Sequence, residues 1–362
     1  MLTVLAALLG VVVATLLVVP GARAGAKSPG LLLEAFGAGV PRPLAAGVDR
    51  TEVRLGGVLG DLYDAGAGAP PVLLLPGAAE EGRSDERVVG LANAVARSDR
   101  TVFVPELSLF AADLDVDDID RVARSTAALA ERTGEDVVIF GFSFGGSLGL
   151  VAAADERARD VVRLVATFGS YTDLVGVVQA ATTGVSVLGG QRLTWDVPDL
   201  AADTVAEVAE ALVPPGQRTA FAQAAGTGDA SALEPEAAAV HALITNDDPD
   251  RTRSLAAALP PEARQVLDAY SPAAAADRLR DVPVLAAHSR DDPAVPYAEL
   301  LRMREVLPHA TTLTVQSFEH VDLDLEGSPL DLVRDLRTSW SFVRRVLAVQ
   351  EDWPLPRRAG LG

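Results

Sequence analysis

The chain has 362 residues, 31 Lys and Arg against 50 Asp and Glu, a formal charge of -19, and no cysteine. That balance excludes a nucleic-acid binder held by phosphate contacts and a protein clinging electrostatically to an anionic membrane. The missing thiols exclude disulfides, thiolate catalysis and cysteine-built metal sites, while an apolar share of 49% supports a large core, in one large α/β domain or two ordinary ones.

Residues 2–19 carry no charge, and Thr3 and Thr15 are their only polar side chains. A run of about 20 apolar residues spans a bilayer as a helix. It predicts a single-pass hydrophobic membrane anchor over residues 1–22. A secretory signal cut near Ala22-Arg23-Ala24, giving a secreted protein, is the alternative, and a buried core helix is a third reading. Arg23, Lys27 and Arg42 follow the run with no acid before Glu34. The positive-inside tendency would keep the bulk of the chain cytoplasmic, although an anchor with so short a tail inserts either way. Residues 23–47 are rich in Gly, Pro and Ala and read as a linker with one apolar segment, Leu31–Phe36.

Strand-like runs then recur. Thr51–Leu59 has turn chemistry at Gly56-Gly57, and Pro71–Leu75 ends at Pro76-Gly77. Thr101–Val104, Asp136–Phe140, Val161–Thr167, Val282–Ala287 and Thr311–Val315 follow. Runs that are apolar throughout suit strands buried on both faces of a parallel sheet. Helical patterns lie between them at Ser84–Arg97, Asp117–Thr133, Ser143–Asp155, Pro296–Val306 and Pro329–Val349. Residues 171–280 break the rhythm. They show no buried strand, and helix-like segments lie around Asp199–Leu212, Pro215–Ala225, Glu234–Ile244 and Pro261–Tyr270. The pattern predicts an α/β fold with a doubly wound, mostly parallel sheet. Its core covers 48–170 and 281–350, a helical cap insertion covers 171–280, and a tail follows at 351–362.

The run DVVIF ends in Gly141-Phe142-Ser143-Phe144-Gly145-Gly146, ahead of a helical pattern. This is G-x-S-x-G between a strand and a helix. A serine on so sharp a turn is lifted clear of the sheet, and small residues two before and two after let strand and helix approach. The plain alternative is a glycine-rich turn that only packs tightly.

Here the sequence resembles the α/β-hydrolase superfamily, on the serine esterase and lipase side, over roughly residues 50–350. The resemblance implies Ser143 as nucleophile, followed in the chain by an acid and a histidine. The stretch His288-Ser289-Arg290-Asp291-Asp292-Pro293-Ala294-Val295-Pro296 is similar to the family's H-G-x-x-D-x-x-V-P, which makes Asp292 the acid, with Ser289 where the family has Gly. A turn-forming Asp before Pro is the plain reading. The resemblance places the base at His320, in Ser317-Phe318-Glu319-His320. Elimination supports it: His241 falls in the insertion, His309 precedes its strand, and His288 ends a strand and shapes the acid loop. Asp173 is a competing acid, since some relatives carry theirs after the preceding strand.

The implied chemistry is an acyl-enzyme route. Oxyanion donors would be the backbone N–H of Phe144 and, in the loop after PVLLL, that of Ala78, with Pro-Gly where many relatives have His-Gly. Glu80 and Glu81 beside that loop read either as outward-facing acids or as a preference for a cationic substrate group. Asp113, Asp115, Asp117, Asp118 and Asp120 fail the EF-hand pattern, because Asp118 stands where Gly is required and Arg124 where Glu is. They read better as acids at a helix start. Neither cofactor nor metal is expected. The partner expected is a small-molecule ester or acyl substrate. Two other readings stand: an acyltransferase with the same triad, and a non-catalytic binding protein on a hydrolase fold.

Overall fold

The computed structural model describes residues 48–77, 81–111, 113–315, 318–319, 322–323 and 329–349. The apolar N-terminal run and linker, Ala78, Glu80, His320 and the tail lie outside them.

The strands are β1 (Arg50–Leu55), β2 (Val58–Tyr63), β3 (Pro71–Leu75), β4 (Thr101–Pro105), β5 (Val137–Phe142), β6 (Val162–Phe168), β7 (Val185–Leu188), β8 (Gln191–Thr194), β9 (Val284–Ser289) and β10 (Thr311–Val315). Eight of them form one sheet in the order β1-β2-β4-β3-β5-β6-β9-β10. β2 runs antiparallel to β1 and β4, and the remaining neighbours are parallel. Every residue of β3, β4 and β9 is buried, as a strand covered on both faces requires.

Helices α1 (Glu86–Arg97), α2 (Asp117–Thr133), α3 (Ser143–Ala153), α4 (Glu156–Arg159), α5 (Leu174–Thr183), α6 (Asp199–Leu212), α7 (Arg218–Thr227), α8 (Pro235–Ile244), α9 (Thr252–Ala257), α10 (Pro261–Ala269), α11 (Ala298–Val306) and α12 (Pro329–Ala348) complete the chain. Asp85 caps α1 by accepting the Arg87 N–H at 2.9 Å, and Gly134 ends α2 in the left-handed conformation that glycine adopts at little cost. α3 has no polar face: each of its residues is buried. It packs against β3, β5 and β6.

One expectation is corrected. The run read as one strand over Thr51–Leu59 is a hairpin turning at Gly56-Gly57. Its second strand, VLGDLY, was obscured by Gly60 and Asp61. A β-carbon on Gly60 would lie 2.4 Å from the Phe103 ring, so the apolar pattern is interrupted where packing forbids a side chain. The insertion, read as lacking a buried strand, contains the partly exposed β7–β8 hairpin across Gly189-Gly190. It also begins with α5, an apolar helix capped by Asp173 and closed by Gly184. Among the described residues no helix is long and apolar enough to cross a membrane.

Candidate active site

Ser143 follows β5 directly and opens α3 with φ of 49°. A non-glycine residue there costs on the order of 1–3 kcal/mol and persists only where its surroundings impose it. The glycines on either side are demanded by proximity. A β-carbon on Gly141 would lie 2.4 Å from Gly146 Cα, and one on Gly145 would lie 2.2 Å from the Pro76 carbonyl oxygen. The strand and helix therefore meet at backbone contact.

The start of α3 supplies the electrostatics. Its first N–H groups have no acceptor within the helix, and Phe142 at the cap position offers no side-chain bond. The N–H of Phe144 is one of these donors, at the positive end of the helix dipole. Its ring is held edge-on to the buried Tyr171, with centroids 5.0 Å apart. Ser147 fixes that contact by donating to the Tyr171 carbonyl at 2.8 Å and accepting from its N–H at 3.1 Å. The loop after β3 arrives from the other side. A β-carbon on Gly77 would lie 3.1 Å from Ser143 Cβ and 3.7 Å from Oγ. Ala78, the expected second donor, follows directly in sequence and lies outside the described residues. Glu81 is exposed.

That loop is tied down further on. Arg83 pairs with Asp61 at 2.7 Å and Glu52 at 3.0 Å, and also with Glu106, while Arg50 meets Asp61 at 2.6 Å. Burial would lower the Arg83 pKa, and the three carboxylates outweigh it and hold it above its ordinary value.

Asp292 follows β9, on the same carboxyl edge of the parallel strands as Ser143. It is 1% exposed. Its Oδ1 accepts the N–H groups of Ala294 and Val295, each at 2.9 Å, which replace part of the solvation lost on burial. His288 is fully buried, with Nε2 3.0 Å from the Val295 carbonyl oxygen and 3.7 Å from Asp292 Oδ2. It closes the acid loop end to end. His320 lies outside the described residues. β10 ends at Val315 on the same edge, and beyond it Phe318–Glu319 pairs antiparallel with Asp322–Leu323. His309 Nε2 meets the Val282 carbonyl at 3.1 Å near the start of β9, away from the carboxyl edge. His241 is buried in α8 against Phe221.

Asp173, the competing acid, is engaged elsewhere. It accepts the Val175 N–H at 3.1 Å as the cap of α5, pairs with Arg253 of α9, and lies 3.8 Å from Arg302. Sequence reasoning missed its neighbour Glu299. Oε2 of that buried carboxylate accepts the N–H groups of Thr172 and Asp173 at 2.9 and 2.8 Å, and Oε1 accepts from Arg302 at 3.0 Å. Burial pushes the Glu299 carboxyl upward against Arg302 and those two donors. The only sequence signal was an acid three residues before an arginine in a helix. The Asp113–Asp120 run is structural where described. Asp118 is fully buried and accepts the N–H groups of Ser108 and Leu109, and Arg121 joins it to Asp115.

A mostly parallel sheet of this strand order, with a strained serine between β5 and α3, defines the α/β-hydrolase fold. No family model and no curated protein matches the chain. Among solved structures it is similar to carboxyl esterase 2 from the fungus Tuber melanosporum, at 15% identity and TM-score 0.49 over 85% of this chain and 88% of that one. It is similar to a putative lipase from Acinetobacter baumannii AYE, at 14% and 0.46 over 86% and 95%. It is also similar to a meta-cleavage product hydrolase from Pseudomonas fluorescens IP01, at 18% and 0.44 over 82% and 97%.

Proposed function

We propose that the chain is a serine hydrolase that cleaves a carboxylic ester or a similar acyl bond of a small molecule. The observation that carries the reading is Ser143, held at φ of 49° between β5 and the donor-rich start of α3, with Gly77 against its side chain. Ser143 Oγ attacks the substrate carbonyl carbon as His320 takes its proton. Asp292, anchored by the N–H groups of Ala294 and Val295, orients the imidazole and stabilises its charged form. The N–H groups of Phe144 and Ala78 receive the oxyanion. The intermediate collapses as His320 returns the proton to the leaving alcohol. Water, deprotonated by His320, then attacks the acyl-enzyme and releases the carboxylic acid and free Ser143. The apolar segment over residues 2–19 supports tethering of this enzyme to a membrane.

The test uses the full chain in detergent, wild type and Ser143→Ala, with a fluorophosphonate and with p-nitrophenyl esters of increasing chain length. Labelling and turnover in the wild type, with a loss of about 10³-fold or more in Ser143→Ala, is the expected result. A folded wild type that neither labels nor turns over overturns it.

A further inference from the structure

We infer that Tyr297 is a positioning residue for the acid–base pair, its phenol tying the loop that carries Asp292 to the end of β10, ahead of His320. The inference rests on the serine-hydrolase reading.

Tyr297 stands just beyond the acid loop, before α11 begins at Ala298. Its hydroxyl lies 2.8 Å from Thr314 Oγ1, one residue before the end of β10. Thr314 is in register with His288 across the β9–β10 ladder. The Tyr297 ring is held on two sides. The Arg290 guanidinium carbon sits 5.0 Å from its centroid, and the His288 ring meets it at 6.3 Å and 66°. The two strand ends are thus joined twice around Asp292. The Arg290 N–H donates to the Val315 carbonyl at 2.9 Å before the acid, and the Tyr297 hydroxyl reaches Thr314 after it.

The first of these joins is backbone and survives any substitution but proline at position 290. The second depends on one oxygen. A tyrosine that only filled space would be replaced by phenylalanine without consequence, because the ring contacts with Arg290 and His288 remain. Removing the hydroxyl lets β10 and the acid loop shift against each other. A shift of that kind weakens the carboxylate's hold on the imidazolium, which lowers the pKa of the base and slows the step that needs it.

The test is ester hydrolysis by the full chain across about pH 5 to 9, in wild type, Tyr297→Phe, Thr314→Val and the double variant. In each single variant the plateau of kcat should fall about three- to tenfold, the rate equivalent of one neutral hydrogen bond, with KM held within about twofold. The rising limb of kcat/KM should move to lower pH by roughly half a pH unit. The double variant should match the singles, because both remove the same bond. A limb that stays in place, a loss confined to KM, or losses that multiply in the double variant would overturn the inference while leaving the triad standing. An inactive wild type, or full activity in Ser143→Ala, overturns the serine-hydrolase reading and this inference with it.

Discussion

Arg253 on α9 reaches the carboxylate of Asp173 at the start of α5, so the acid that competes with Asp292 is occupied by an ion pair within the insertion and by capping a helix. The two aspartates should part cleanly on mutation. Asp292→Asn should lower kcat by about 10³- to 10⁴-fold, through loss of the charge that orients the base. Asp173→Asn keeps a capping oxygen and should hold kcat within about twofold while lowering stability by about 1 kcal/mol. Steady-state kinetics beside urea melts of both variants decide it, and a reversed order would move the catalytic acid to Asp173.

The elbow glycines should rank by what surrounds them. A β-carbon on Gly145 meets main-chain oxygens of Pro76 and Leu75 at 2.2 and 2.3 Å. Gly145→Ala should therefore cost about 3 kcal/mol or more, or abolish soluble expression. A β-carbon on Gly146 meets first the Ser170 hydroxyl at 2.1 Å, a side chain that can turn away. Gly146→Ala should be the milder change in denaturant melts.

Within the Arg83 network, burial sets the ranking. The Asp61 side chain is 4% exposed and faces two arginines, while that of Glu52 is 60% exposed. Asp61→Asn should destabilise by about 1–2 kcal/mol, since it removes the one buried carboxylate shared by Arg50 and Arg83 while Glu52 and Glu106 still face Arg83. Glu52→Gln should cost under about 1 kcal/mol. Equal effects would mean that the network lies open to solvent.

Asp85 provides a pH test of sign. Its hydrogen bonds with Arg87 hold the carboxyl below its ordinary value of 3.8, against a smaller effect of burial. A carboxyl with a depressed pKa stabilises the fold above its ordinary range and loses that contribution as pH falls through the folded value, below 3.8. Asp85→Ala should therefore cost about 1 kcal/mol at neutral pH, with the gap to wild type closing as the pH falls below 3.8. A gap that persists into acid would mean that the cap acts without its charge.

Much of this was legible in the sequence because buried parallel strands advertise themselves. PVLLL and TTLTV are bounded in the structure where their apolar runs end, and the serine sits at the junction its glycines mark. What escaped depends on contacts distant in sequence. Asp61 reads as a strand breaker until Arg50 and Arg83 are seen to neutralise it. Val185–Leu188 and Gln191–Thr194 flank a Gly-Gly turn, a hairpin signal lost among alanine-rich helices. The antiparallel pairing of β2 with β4 lies outside any local window. The catalytic reading of Asp292 rests on resemblance, whereas its plain reading as a turn former is seen directly, since the carboxylate builds its own loop.

The order of the central strands also has a bearing on synthesis. β6 pairs with β9, and the whole of residues 169–283 separates them in the chain. At about 5–20 residues per second, a ribosome needs on the order of ten seconds to deliver that partner. For that interval β6 is a bare, apolar margin, the kind of edge through which nascent chains stick to one another. Truncations ending before Val284 should aggregate, even though they contain the serine and all of the insertion.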